Sequence, residues 1–188
     1  MQTLVLYTSN TGSAKRYAED IASSLGADVM PLKKFKWKNI DDYGLVIYGG
    51  WIMGGKIKGV DDFLSHYDSL EGKNVIIFST GMVIPSKEGR DVIINANILD
   101  IYHVRYYQLR GNFDINKLGF FQKAMIKMYM KQIEADPEAN QGYKALLSFL
   151  DEPLEYYDRD GVDKIINVSK KILSSPVEVE ATPGEEGK

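Results

Sequence analysis

The sequence predicts a doubly wound α/β domain on one parallel sheet of five strands. Short solid apolar runs such as GLVIY (44–48) and NVIIFS (74–79) recur along the chain. Strands lose their polar alternation in this way when helices cover both faces of the sheet. Between the runs lie segments with apolar residues at helical spacing. A chain of 188 residues with 44% hydrophobic residues is the right size for one such core.

The order along the chain follows from these patterns. Thr3 to Tyr7 is the first strand, and Ser13 to Leu25 the first helix, with Ala14, Tyr17, Ala18, Ile21, Ala22 and Leu25 on one face. Ala27 to Leu32 and Gly44 to Tyr48 are strands, Val60 to Tyr67 a helix, Asn74 to Ser79 a strand and Lys87 to Leu99 a helix. A fifth strand is expected at Ile101 to Leu109. The closing helix, Val162 to Leu173, turns Val162, Ile165, Ile166, Val168, Ile172 and Leu173 inward. The expected domain is 1–176, with a long insertion over 110–160 ahead of the last helix. Residues 177–188 read as an acidic tail too polar to pack.

The totals exclude several functions. With no cysteine there is no disulfide, thiolate metal site, iron–sulfur cluster or thiol nucleophile, so any redox chemistry must come from a bound cofactor. A net charge of -3 gives no ground for expecting nucleic acid as a partner. No signal-like amino terminus or membrane-length apolar run is present, and a cytoplasmic location is expected. His66 and His103 fall on different elements without a carboxylate cluster, so neither a metal nor a catalytic triad is assigned. The acidic pairs at 41–42 and 61–62 suit a turn and a helix amino terminus.

Open parallel sheets bind ligands beyond the carboxyl ends of their strands. There the first turn offers Thr8, Ser9, Asn10, Thr11, Gly12 and Ser13: hydroxyls, a glycine and the amino terminus of a helix, all suited to a phosphate. As a plain turn, the same stretch would use Ser13 as helix cap. Neither GxxxxGK[ST] nor GxGxxG is present. After the third strand comes YGGWIMGGKIKG (48–59), where glycines permit close backbone approach and Gly50, Trp51, Ile52, Met53 and Gly54 form an apolar wall. After the fourth comes STGMVIP, in which Ser79, Thr80, Gly81 and Met82 are small or apolar where a plain loop would be charged.

These three loops resemble those of the flavodoxins, over about residues 1–110 and 161–174. The resemblance implies a sheet order 2-1-3-4-5 and an FMN cofactor. It places the FMN phosphate on residues 8–13 and the flavin ring between 50–54 and 79–82. The chain departs from the family pattern at Ala14, where a hydroxyl is usual and Ser13 is expected to substitute. It departs again at Lys56 and Lys58, where acidic residues are usual. A charge about 8 Å from the ring at an effective dielectric of about 20 contributes roughly 2 kcal/mol, so these lysines predict a less negative midpoint potential.

The insertion contains LRGNFDINKLGFFQKAMIKMYMKQIE (109–134). Phe121, Ala124, Met125 and Met128, with Ile126, Met130 and Ile133 one step round, form a wide apolar face, and Lys123, Lys127 and Lys131 align at i, i+4, i+8. Such a helix either packs its apolar face on the domain with its lysines solvated, or docks on an anionic lipid surface or partner, or walls an apolar substrate pocket. A short helix is expected near Tyr143 to Leu150. Gly111, Lys117, Met125, Ile126, Lys127, Met130 and Lys131, with Tyr156 or Tyr157, resemble the insertion of the menaquinone-dependent protoporphyrinogen dehydrogenases. That resemblance implies an oxidoreductase passing electrons from protoporphyrinogen to a quinone, with peripheral contact to the inner face of the membrane through the three lysines. An electron carrier working between redox partner proteins is the alternative, and a scaffold without flavin a third.

Overall fold

The computed structural model describes residues 2–136, 141–150 and 152–174; the expected acidic tail lies outside the described residues. Five strands, β1 (Gln2–Thr8), β2 (Asp28–Pro31), β3 (Tyr43–Met53), β5 (Asn74–Gly81) and β6 (Val104–Arg110), pair in parallel in the order β2-β1-β3-β5-β6. This is the order that the resemblance to the flavodoxins implies for the five strands. The additional strand β4 (Lys56–Ile57) pairs antiparallel with the end of β3.

Alternate residues of each strand feed two cores. Leu4, Leu6, Val46, Tyr48, Val75, Ile77 and Tyr106 point to the face covered by α2 (Val60–Leu64) and α3 (Lys87–Ala96). Val5, Leu45, Ile47, Ile76, Phe78 and Leu109 point to the face covered by α1 (Ser13–Leu25) and α5 (Arg159–Ser174). Period-two geometry on a sheet covered twice requires both sets to be apolar, which is why the strands read as solid runs. Gly49, in the middle of β3, leaves the space that the Phe78 ring fills from β5.

Several boundaries differ from the sequence expectation. The helix expected to reach Tyr67 stops at Leu64 and is followed by a 3₁₀ turn at Tyr67–Leu70. The next helix ends at Ala96 rather than Leu99, because Asn97 leaves helical geometry and the backbone at Ile98 turns left-handed, φ 54°. The segment at 141–150 is a 3₁₀ helix.

The insertion is a stem carrying a head. In the stem, Phe113 and Leu154 exchange backbone hydrogen bonds at 2.9 and 2.7 Å. Its base is closed by a three-way junction: the Tyr17 hydroxyl donates to the Arg110 carbonyl, the Arg110 N–H donates to Asp158 Oδ2 (3.0 Å), and the Asp158 N–H donates to the Tyr17 hydroxyl (2.8 Å). Burial raises the pKa of Tyr17, keeping it a neutral donor. The head is α4 (Phe120–Ala135) packed on the 3₁₀ helix through Met130, Ile133 and Leu146.

Candidate cofactor site

Strand register assembles the site before any side chain is considered. Thr8, Gly50, Ser79 and Gln108 are direct neighbours across four strands, so three loops leave the sheet side by side at its carboxyl edge. Residues far apart in sequence thereby reach one place.

The first loop ends in Gly12, the N-cap of α1, in the left-handed region at φ 102° that glycine adopts without steric cost. No side chain caps the helix, so the opening N–H groups of α1 have no cap acceptor. Ser13, expected either to cap the helix or to stand in for a hydroxyl at position 14, does not cap it. It is buried, and its Oγ accepts the Asn112 N–H from the insertion stem at 3.0 Å. Ala14 is also buried and faces the core. Ser9 differs: its Oγ is shielded from solvent and has no hydrogen-bond partner. Leaving such a group unsatisfied costs about 1–3 kcal/mol, which a bound acceptor would recover.

Thr8 is tied to the loop after β3. Its hydroxyl hydrogen-bonds the Tyr48 phenol, which in turn donates to the Lys58 carbonyl at 2.6 Å. Burial raises the Tyr48 pKa strongly, so the phenol stays protonated. Gly59, at φ 82°, passes against both hydroxyls; a Cβ there would overlap Tyr48 and Thr8. Two loops that sequence reading treats separately are thus one packed unit.

The stretch 48–59, expected as a glycine-rich loop, is mostly strand. β3 runs on through Trp51, Ile52 and Met53, then reverses over Gly54 and Gly55, both at positive φ (57° and 78°), into β4. Two consecutive left-handed residues make a type I′ hairpin turn, which accounts for the GG pair. Asn97 holds this hairpin: its Oδ1 accepts the Ile57 N–H at 2.9 Å, and its Nδ2 donates to the carbonyls of Gly55 (2.9 Å) and Ile93 (2.7 Å). Gly50 is required by close packing, since a Cβ would lie 2.5 Å from Ile57 and 2.7 Å from the Lys58 carbonyl. Trp51 is half-buried, with the Lys58 ammonium 6.0 Å from its ring centre.

The loop after β5 is divided. Ser79 is fully buried and its hydroxyl bonds Tyr106 at 2.6 Å, and Thr80 is buried, so both side chains belong to the interior rather than to an exposed wall. Gly81 faces Ile52 across the edge of the sheet, 3.7 Å from its Cδ1 to a Cβ placed on the glycine. Gly81 and Met82 are held from the insertion side: the Gly81 carbonyl accepts the Gly111 N–H at 2.8 Å, and the Met82 carbonyl accepts Arg110 Nε at 3.3 Å. The Met82 side chain packs with Val83 on the head of the insertion.

Four contributors escaped sequence reading. Arg110, at the end of β6 beside Gly81, brings a cation to the cluster, with its guanidinium 4.9 Å from the Tyr156 ring centre. Gln122 of α4 accepts from Asn10 of the first loop at 3.3 Å and from its own helix-capping Gly119 N–H at 3.0 Å. Asn97 and Tyr48 are the others. The arginine was legible as a cation at a strand's carboxyl end, whereas Asn97 reads as an ordinary helix terminus and carries no such signal.

Among the described residues, no group of three or more His, Asp or Glu side chains could hold a metal. The residues present fit FMN. An uncapped helix start with an orphaned serine hydroxyl suits a phosphate, and the half-buried Trp51 beside it offers apolar area to a flat ring.

The family model "Flavodoxin domain" matches residues 4–140. Solved structures similar to this chain include a flavoprotein from Bacteroides eggerthii (19% identical, TM-score 0.44, covering 71% of this chain and 98% of that one). Others are the two-electron reduced flavodoxin of Megasphaera elsdenii (20%, 0.46, 58% and 85%) and oxidised Flavodoxin 2 of Bacillus cereus (19%, 0.41, 68% and 99%). No curated protein matches the chain.

Proposed function

The chain belongs to the flavodoxin domain family, whose members bind FMN, and on that premise we propose that it is an FMN-dependent oxidoreductase of the protoporphyrinogen or quinone dehydrogenase type. The observation that carries the FMN part is the uncapped, glycine-led start of α1 beside the orphaned Ser9 hydroxyl. Ser9, Asn10, Thr11 and the first N–H groups of α1 would hold the phosphate. Trp51, Ile52, Met53 and Gly54 would cover one side of the ring, and Gly81 and Met82 the other, while Thr8, Gly50, Ser13, Ser79 and Thr80 hold these loops in position.

Bound FMN supplies two-electron redox chemistry, which none of the side chains here can perform. The protein's part is to bind the phosphate, orient the ring and set its electrostatics. Lys58 beside Trp51 and Arg110 beside Met82 put positive charge at the ring's walls, which favours electron uptake. The finer reading is supported by where the insertion stands. It bonds the first loop through Ser13 and Asn10 and the third through Gly81 and Met82, building an additional wall on the two loops that would hold the cofactor. Such a wall suits an organic substrate better than exchange of electrons across an open ring edge.

The test is anaerobic reduction of the FMN-loaded protein followed by rapid mixing with a menaquinone analogue. Protoporphyrinogen is mixed separately with the oxidised form. Fast two-electron turnover with either supports the enzyme, whereas slow reaction with both and rapid exchange with a redox protein would establish the electron carrier.

A further inference from the structure

Ile98 is a costly residue for its position. It follows the C-cap of α3 and lies in the left-handed region at φ 54° and ψ 37°, the one non-glycine residue at positive φ among the described residues. Glycine is usual there, and a β-branched side chain is strained. The strain does not serve the core, because Ile98 is 54% exposed, close in sequence to Ile101 at 67%. A strained backbone that holds an apolar side chain in water points to something that covers it.

Ile98 and Ile101 stand at one end of a band that crosses the α2–α3 face of the molecule. Tyr102 packs edge-on against Tyr67, with 4.7 Å between ring centres, and His66, next to Tyr67, stacks on Trp37 at 4.1 Å. All four rings are half-buried, so part of each reaches the surface. The other end of the band is basic. Residues 30–40 hold Lys33, Lys34, Lys36 and Lys38 and no acidic residue. All four lysines are exposed, and among the described residues none of them is in an ion pair. Segments 60–70 and 97–104 have the opposite character, with Asp61, Asp62, Asp68 and Asp100 exposed and no Lys or Arg.

We propose that this face pairs with the same face of a second copy of the chain about a two-fold axis. The lysine end of each protomer then meets the aspartate end of its partner, and both Ile98 side chains leave water. The segregation of charge selects the occupant. A nucleic acid or an anionic bilayer attracted to 33–38 would be repelled by the aspartates on the same face. A surface with its two signs at opposite ends of an apolar band is complementary to itself after a half-turn. Ile98 directly follows Asn97, so the interface also steadies the residue that clasps the hairpin carrying Trp51.

The inference uses this face alone and is independent of the cofactor and the reaction. The test is analytical ultracentrifugation of the full chain over a range of concentrations, with thermal melting recorded for every variant. A monomer–dimer equilibrium is expected, micromolar or tighter and weakened by salt. Ile98→Gly is expected to weaken association about tenfold while the monomer melts at the same temperature or higher, since glycine relieves the strain. Lys36→Glu with Lys38→Glu and, separately, Asp68→Lys with Asp100→Lys are each expected to weaken it about a hundredfold, because like charges then face each other. Mixing these two variants should restore association, each altered end now meeting its opposite. Phe120→Ser with Phe121→Ser, exposed on α4, is the control and should leave the dimer intact. A monomer at every concentration, unaltered association in the Ile98 and charge variants, a mixture no more associated than its components, or a dimer lost in the α4 control would overturn the proposal.

Discussion

Two helices of similar pattern, α1 and α4, meet different fates in this molecule. α1 buries Ala14, Tyr17, Ala18, Ile21 and Ala22 of its apolar face against the sheet and leaves Leu25 half-buried. α4 buries Met130 and Ile133 and leaves two phenylalanines and two methionines in solvent. The difference lies in what each is attached to. α1 is joined to β1 by a tight turn and lies across a continuous hydrophobic sheet. α4 sits at the end of a stem, and among the described residues a short 3₁₀ helix and the Met82–Val83 loop cover it. The framework determines its own packing, whereas the insertion presents surface. Stability should therefore reside in the first and exchangeable contacts in the second.

Substitutions on the two sides of that division should behave differently. The largest effect is expected from Gly59→Val, which forces a β-branched residue to φ 82° and into Tyr48 and Thr8. Strain and overpacking together cost about 3 kcal/mol or more, read as a lowered denaturation midpoint for the entire framework. Asp158→Ala, at the base of the stem, strips acceptors from the Arg110 and Gly161 N–H groups. A loss of about 2 kcal/mol is expected, appearing first as protease cleavage within 110–158 while the sheet remains protected. If Asp158→Ala and Gly59→Val unfold the molecule in the same single step, insertion and framework are one cooperative unit and the division is wrong.

Asn97→Ala is intermediate. It leaves the Ile57 N–H and the Gly55 carbonyl unpartnered and frees the hairpin that carries Trp51, so FMN affinity should drop about tenfold while the fold persists.

A smaller effect is expected in alkali. The Tyr43 pKa is pushed up to about 12, first by its hydrogen bond to the Asp28 carboxylate (2.6 Å) and then by burial. That of Tyr157, at the base of the stem, is pushed up to about 12, first by burial and then by a hydrogen bond to Asp20. A phenol whose pKa is raised on folding contributes fully below its unfolded value of about 10, and the contribution is lost as pH rises towards 12. Stability should fall across that window. Tyr43→Phe should flatten the global unfolding profile there, and Tyr157→Phe the pH dependence of proteolysis in the insertion.

The sequence revealed the framework more fully than the site. Solid apolar runs and amphipathic spacing report burial directly, so the strands and both helical layers could be anticipated from residues such as Leu4, Val5 and Ile21, while the strand order was implied only by the resemblance of the loops to those of the flavodoxins. The site depends on which hydroxyl faces which neighbour, and pattern carries no such information. Ser9 and Ser13 look equivalent in SNTGS, yet one is an orphan and the other is bonded to Asn112, ninety-nine positions away. The GG pair at 54–55 was legible as a need for unusual dihedrals, but its hairpin partner and the Asn97 clasp were long-range facts. In α4 the periodicity located a helix and its lysines; it could not tell the buried side of the apolar surface from the side left open.

The central claim, that the turn after β1 is a phosphate site completed by Ser9, is tested most directly by titrating FMN into the apo-protein and its Ser9→Ala variant. Apo-protein melting is measured in parallel. The account predicts one FMN per chain, affinity about tenfold weaker in the variant, and apo stability unchanged or slightly higher because an unsatisfied buried hydroxyl has been removed. Equal affinity in the two proteins, or a variant that binds normally but melts earlier, would contradict it.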